Sequence, residues 1–245
     1  MDADPGWGAF ADGPEPLSAE MTLNSVAPAS DSGARLARFV THLQDTAGVT
    51  EVDFVGYSLG GIVARSAMKQ LQRAGSSVRV RSLISIGTPW LGSFVGKHDA
   101  STLPLPPIVA EYVSSFILNV RSTVAAEPGS IPANQPAWAT GYDHVLDGLP
   151  LTRIAGVFFP AGDIVDGAGV QLGVLEANDG HCTESSALAI DANPVALPPA
   201  ACFTLPELHS NYLADLLEIP WERSINWSPA TYDIVIEAIR RAGHQ

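Results

Sequence analysis

The sequence predicts a doubly wound α/β fold on a mostly parallel sheet, and three stretches carry that prediction. Glu51-Val52-Asp53-Phe54-Val55 is a short apolar, β-branched run that passes straight into Gly56-Tyr57-Ser58-Leu59-Gly60-Gly61. Beyond it, Leu59, Ile62, Val63, Ser66, Ala67 and Leu71 fall near one face at helical spacing. The stretch 78–86 alternates and then turns apolar, as a buried parallel strand does, and Gly87-Thr88-Pro89 ends it. Strand, helix and strand at this spacing make one βαβ unit.

Residues 1–30 are rich in Gly, Pro, Asp, Ser and Ala and are expected to be irregular, with only 21–26 mildly strand-like. Asp31 or Ser32 can cap a helix that places Leu36, Phe39, Val40 and Leu43 on one face and ends near Gly48. The helix after Ser58 is stopped by Ala74-Gly75-Ser76-Ser77. Residues 92–150 then break the rhythm. Leu103-Pro104-Leu105-Pro106-Pro107 introduces an apolar segment over 108–120, and a Pro/Gly/Ala-rich stretch follows through Trp138. An insertion of this size between core elements is either functional or disordered. The stretch 151–159 resumes as a strand. At the end of the chain Ser228 caps a helix with Pro229 in its first turn, Tyr232, Val235, Ile236 and Ile239 on one face, and Gly243 beyond. The expectation is a single domain over 1–245.

Composition narrows the function classes. With 245 residues, 46% of them hydrophobic and only 16% charged, the chain can bury a large core. A formal net charge of −13 argues against nucleic acid, whose phosphates would be repelled. No apolar run is long enough to span a membrane. The two cysteines, Cys182 and Cys202, are suspected of forming a disulfide across a loop of about 20 residues. Such a bridge implies an oxidising compartment, so secretion is the expectation, although residues 1–8 carry no signal-peptide pattern.

The chemistry centres on Gly56-x-Ser58-x-Gly60. In a strand–turn–helix context this is a nucleophile elbow, which throws the serine hydroxyl clear of the sheet. Glycine at 56 and 60 is expected to let strand and helix approach, and the N–H of Leu59 lies where an oxyanion would form. A serine needs a base to take its proton, and the base needs a carboxylate to hold its tautomer. The histidines His181, His209 and His244 lie downstream. His209 fits best, since His244 sits in the tail and His181 is only two residues from Asp179. For the acid, Asp179, Asp163 and Asp166 all stay open on spacing alone. Tyr57 and Trp90 are candidate substrate contacts.

The run Val52-Asp53-Phe54-Val55-Gly56-Tyr57-Ser58-Leu59-Gly60-Gly61-Ile62-Val63-Ala64-Arg65, with Ile86-Gly87-Thr88-Pro89-Trp90-Leu91-Gly92-Ser93, resembles the bacterial triacylglycerol lipases and their esterase relatives (lipase class 2). The likeness covers 31–95 well, 175–215 moderately and the rest poorly. It implies an α/β-hydrolase fold, places the acid at Asp179 in Asn178-Asp179-Gly180 with Cys182 shortly after, and puts the histidine at His209. It also implies that 92–150 occupies the place of a lid, and a lid would suit a lipid–water interface.

Two departures stand out. No His-Gly pair precedes Ser58 to supply a second oxyanion donor, as though the N-terminal strands were lacking or their loop were replaced by 1–13. Where several relatives carry a carboxylate for a structural calcium, two residues past the histidine, this chain has Asn211. No cofactor is therefore expected, with a calcium cage of Asp163, Asp166 and Asp215 as the alternative. The expected activity is hydrolysis of lipid or small esters through an acyl-enzyme on Ser58. Acyl transfer by the same residues, or a hydrolase-like binding protein without turnover, are the alternatives.

Overall fold

In the computed structural model the described residues are 7–9, 14–16, 20–23, 29–93, 144–165 and 171–244. The strand expected at 51–55 forms as β3 (Glu51–Tyr57), and it leads through the turn at Ser58 into helix α2 (Gly60–Arg73). Strand β4 (Arg79–Ile86) follows and pairs parallel to β3 along its whole length, from Glu51 opposite Arg79 to Tyr57 opposite Ile86. After the insertion, β5 (Leu151–Gly156) pairs parallel to β4, and β8 (Ala201–Leu205) pairs parallel to β5. The sheet order is β3-β4-β5-β8. Parallel strands need crossovers on the sheet faces, and α2 supplies the one between β3 and β4.

Both faces are buried at the central strands β4 and β5, and the two-residue period of a strand divides the side chains between them. On one face Phe54, Leu83 and Leu151 meet α1 (Ala29–Ala47) and α2 through Ala37, Val40, Ile62, Ala67, Met68 and Leu71. On the other, Ile84, Ile86, Ile154 and Ile225 pack with Ile234, Val235, Ala238 and Ile239 of α5 (Pro229–Ala242). Ser228 caps α5 by accepting the Thr231 N–H, with Pro229 in the first turn, as its sequence signals require.

Some expectations need correction. Residues 1–30 are not wholly irregular: β1 (Trp7–Ala9) and β2 (Pro14–Pro16) form a short antiparallel ladder. Helix α1 begins at Ala29, so Asp31 and Ser32 lie inside its first turn, and Ser32 is buried. β8 was not expected. It is a five-residue end strand, exposed along most of its length, so no burial periodicity marks it. A second antiparallel pair, β6 (Gly162–Val165) and β7 (Gln171–Leu175), stands apart from the main sheet. Of the lid-like insertion, 94–143 lies outside the described residues. Its return, at Leu146, is part of the core under β5. Two short helices complete the described fold, α3 (Glu184–Leu188) and α4 (Asn211–Leu216), together with a 3₁₀ turn over Trp221–Arg223. No helix among the described residues is long and apolar enough to cross a membrane.

Candidate active site

Ser58 stands between the end of β3 and the start of α2 with φ of 53°, in the left-handed region that a serine occupies only at some cost, of order 1–3 kcal/mol. Its N–H donates to Ile86 O at 2.8 Å, and its carbonyl accepts the Gly61 N–H at 3.3 Å. The turn is therefore tied both to the neighbouring strand and to the helix it starts. Gly56 is required by close approach: a Cβ there would lie 2.5 Å from the main-chain carbon of Gly60. The second constrained glycine is Gly61, which abuts the side chain of Thr88, whereas a Cβ on Gly60 would meet nothing within 4 Å. The expectation for Gly60 is thus corrected by one residue. Leu59 caps α2, so its N–H belongs to the positive end of that helix.

Asp179 is placed by two nested turns. Asn178 Oδ1 accepts the Gly180 N–H at 3.0 Å, and Asp179 Oδ1 accepts the N–H groups of His181 at 2.9 Å and Cys182 at 2.7 Å. Phe158 and Phe159, just past β5, donate their N–H groups to Asn178 O, which pins this loop at the carboxyl end of the sheet. Gly156 makes room for it: a Cβ there would be 2.9 Å from Asp179 Cβ and 2.6 Å from Glu207 O.

His209 follows β8. Its N–H donates to Asp179 O at 2.8 Å, while its neighbour Leu208 donates to Arg223 O and accepts from Ile225 N. The ring meets both expected partners. Nδ1–H donates to Asp179 Oδ2 at 2.7 Å, and Nε2 accepts from Ser58 Oγ at 2.9 Å. Asp179 is 0% exposed and His209 4%, so the pair is withdrawn from solvent and strengthened by the low local dielectric. Gly87, with φ of 56°, lies under the imidazole, where a Cβ would come within 3.1 Å of Nδ1 and Cε1.

The structure thus brings Ser58, His209 and Asp179 into one hydrogen-bonded line. Asp163 lies on β6, and Asp166 is outside the described residues. His181 is buried beside the line, its ring centroid 4.6 Å from that of His209 in an edge-to-face contact. Burial first, then the proximity of His209, pushes its pKa down to about 3 against the opposing pull of Asp179. His244 lies just beyond α5, with its N–H on Arg241 O, and is not part of this line.

Two further expectations, for Trp90 and for the disulfide, are overturned. Trp90 is not a cleft residue: it is 2% exposed in the core, with its indole N–H donated to Ser85 Oγ at 3.0 Å. Tyr57 is half-buried beside Ser58, with its ring against the Ile84–Ile86 cluster and its hydroxyl donating to His209 O at 2.7 Å. The suspected disulfide is absent and both thiols are free. Cys182 is buried behind the Asp179 loop, where desolvation and then Asp179 raise its pKa, and Cys202 is exposed on β8.

Of the residues named for a calcium cage, Asp166 lies outside the described residues, and Asp215 and the neighbouring Asn211 have protein partners. Asn211 Oδ1 accepts from Asn226 Nδ2, and Asp215 Oδ1 takes the indole N–H of Trp221 at 2.6 Å. No cluster of three or more His, Cys, Asp or Glu suited to a metal occurs among the described residues.

Sequence reasoning missed Glu207. It is buried two residues before His209 and accepts from the hydroxyls of Ser228 and, at 3.5 Å, Thr231. It thereby fastens the histidine loop to the start of α5, and burial raises its pKa. Only a carboxylate facing a distant helix cap would have revealed this, and that pairing is tertiary.

Comparison with known proteins gives a partial match. Residues 24–130 match the family model described as "Putative serine esterase (DUF676)", a span of less than half the chain. No curated protein matches. Similar solved structures include the mature form of the Bacillus licheniformis lipase BlEst2, 19% identical over 82% of this chain and 75% of that one, with a TM-score of 0.39. They also include the N-acyl homoserine lactonase AidH complexed with N-butanoyl homoserine (13% identity, 95% and 76% coverage, TM-score 0.39). A third is a hydrolase from Pseudomonas aeruginosa PA01 (20% identity, 76% and 71% coverage, TM-score 0.32). The described residues form a parallel sheet flanked by helices with a serine at a strained strand-to-helix turn, and over that turn the chain is similar to the serine esterase family.

Proposed function

We propose that the chain is a serine carboxylester hydrolase in which Ser58 is the nucleophile, His209 the general base and acid, and Asp179 the residue that orients and stabilises the imidazole. The observation that carries this reading is the unbroken line from Ser58 Oγ through both ring nitrogens of His209 to Asp179 Oδ2, at 2.9 and 2.7 Å. These are hydrogen-bond distances already suited to proton transfer.

In the first half-reaction Ser58 Oγ attacks the ester carbonyl while His209 Nε2 takes its proton. The carboxylate of Asp179 stabilises the imidazolium that forms. The Leu59 N–H, at the positive end of α2, donates to the developing oxyanion. Collapse of the tetrahedral adduct breaks the ester C–O bond. His209 returns the proton to the leaving alkoxide, so an alcohol departs and the acyl group stays on Ser58. Water then attacks the acyl-enzyme with His209 again as base, releasing the carboxylic acid and restoring the serine.

The test is hydrolysis of p-nitrophenyl acetate and longer p-nitrophenyl esters by the parent and by Ser58→Ala. Release of p-nitrophenol by the parent, and its loss by about 10³-fold or more in the variant, supports the reading. Equal rates in both overturn it.

A further inference from the structure

We propose that Tyr57 is a positioning residue for His209, holding its main chain so that the imidazole stays within reach of Ser58; this rests on the catalytic reading above. Tyr57 is at the end of β3 and His209 lies beyond β8, at the opposite end of the sheet order, with β4 and β5 between them. The Tyr57 hydroxyl crosses that gap and donates to His209 O at 2.7 Å, joining residues 152 positions apart.

The connections of His209 come in matched pairs. Its ring bonds Asp179 through Nδ1 and Ser58 through Nε2. Its main chain bonds the same two places, with its N–H on Asp179 O and its carbonyl on Tyr57, the residue adjoining Ser58. Each ring contact is therefore duplicated by a main-chain contact to the same loop or the same strand end. The ring contact to Ser58 must break and reform during turnover, because Ser58 Oγ becomes acylated. The Tyr57 contact takes no part in proton transfer and persists throughout, so it fixes where the imidazole waits. The Tyr57 ring adds a wall, its centroid 5.2 Å from that of His209 at an interplanar angle of 34°, and His181 stands edge-on to the same imidazole.

Tyr57→Phe removes the hydroxyl and keeps the ring. Per folded molecule, as counted by circular dichroism, kcat for a p-nitrophenyl ester is expected to fall about tenfold, the effect of losing one well-placed hydrogen bond, with KM within about twofold. The rate of fluorophosphonate labelling at Ser58 is expected to fall in parallel. Asp53→Asn, in the same strand as Tyr57, breaks the ion pair with Arg81 of β4. It is expected to lower the unfolding temperature while leaving kcat unchanged, which separates positioning from stability. A second readout needs no activity. The downfield proton resonance of His209 Nδ1–H is expected to shift and broaden in Tyr57→Phe and to stay unchanged in Asp53→Asn.

If the parent labels at Ser58 and Tyr57→Phe labels equally fast, the positioning role is overturned while the esterase reading stands. If the parent does not label at all, the esterase reading falls. The resonance then decides: unchanged in Tyr57→Phe, it overturns the role of Tyr57, and perturbed, it upholds the clamp.

Discussion

Ser58 is placed by the residues immediately around it, whereas Asp179 and His209 are placed by bonds that cross the fold. The elbow needs a strand, a tight turn and a helix in succession, with Gly56 and Gly61 allowing close contact. The histidine loop is held instead by Asp179 O, Tyr57, Arg223 and the Glu207–Ser228 link, none of which adjoins it in sequence except Glu207. The lesson is that the Ser58 turn is built locally while the placement of His209 depends on the whole domain. Damage to the two regions should therefore look different.

The largest expected effect falls on the proposed base and acid, His209 and Asp179. His209→Ala is expected to reduce kcat/KM by at least about 10⁴-fold, and Asp179→Asn by about 10⁴-fold because the wrong tautomer is favoured. Both should keep their far-ultraviolet circular dichroism. Steady-state kinetics on p-nitrophenyl esters check this, and a loss below tenfold in either variant would break the proposed division of roles.

The elbow should fail through folding instead. Gly56→Ala forces a Cβ against the main chain of Gly60 and is expected to cost at least about 3 kcal/mol. Gly60→Ala, with open space around it, should be neutral or stabilising by up to about 1 kcal/mol. Urea denaturation of the two variants measures the difference directly. Equal costs would mean that the elbow is not shaped by close approach at Gly56.

The supporting residues of the distant region carry smaller, pH-dependent effects. His181, facing His209 and Asp179, has its pKa held near 3 against an ordinary 6.5, so the folded protein binds fewer protons than the unfolded chain between these values. Its contribution to stability is full above about pH 6.5 and is lost as pH falls towards 3. His181→Phe is expected to flatten this acid loss in melting temperature. Glu207, facing Ser228, Thr231 and Arg223, behaves oppositely. Its pKa is raised above 4.5 by burial, so its contribution is present below that value and is lost as pH rises through the raised value. Glu207→Gln should remove that decline in melting temperature. A melting profile unchanged from the parent in either variant would contradict the assignment.

The same contrast explains what the sequence revealed. β3, α2, β4 and α5 were legible because each announces itself locally, through an apolar run, a helical period or a serine–proline cap. Ser58 was legible for the same reason. Asp179 could not be separated from Asp163 by spacing, since the choice depends on which loop β5 and β8 bring to the imidazole. β8 escaped notice because an exposed end strand of five residues has neither a buried face nor a period to show. Trp90 was misplaced for a related cause: a tryptophan beside a motif can turn into the core, and here Ser85 accepts its N–H. Tyr57 adjoins Ser58, yet its hydroxyl donates to His209 O on the far side of the sheet.

The most direct measurement of the central claim is mass-spectrometric mapping of the fluorophosphonate adduct in parent protein and in His209→Ala. The account predicts a single adduct on the peptide containing Ser58 in the parent, and none in the variant over the same time. An adduct on another residue, or equal labelling of Ser58 without His209, would contradict it.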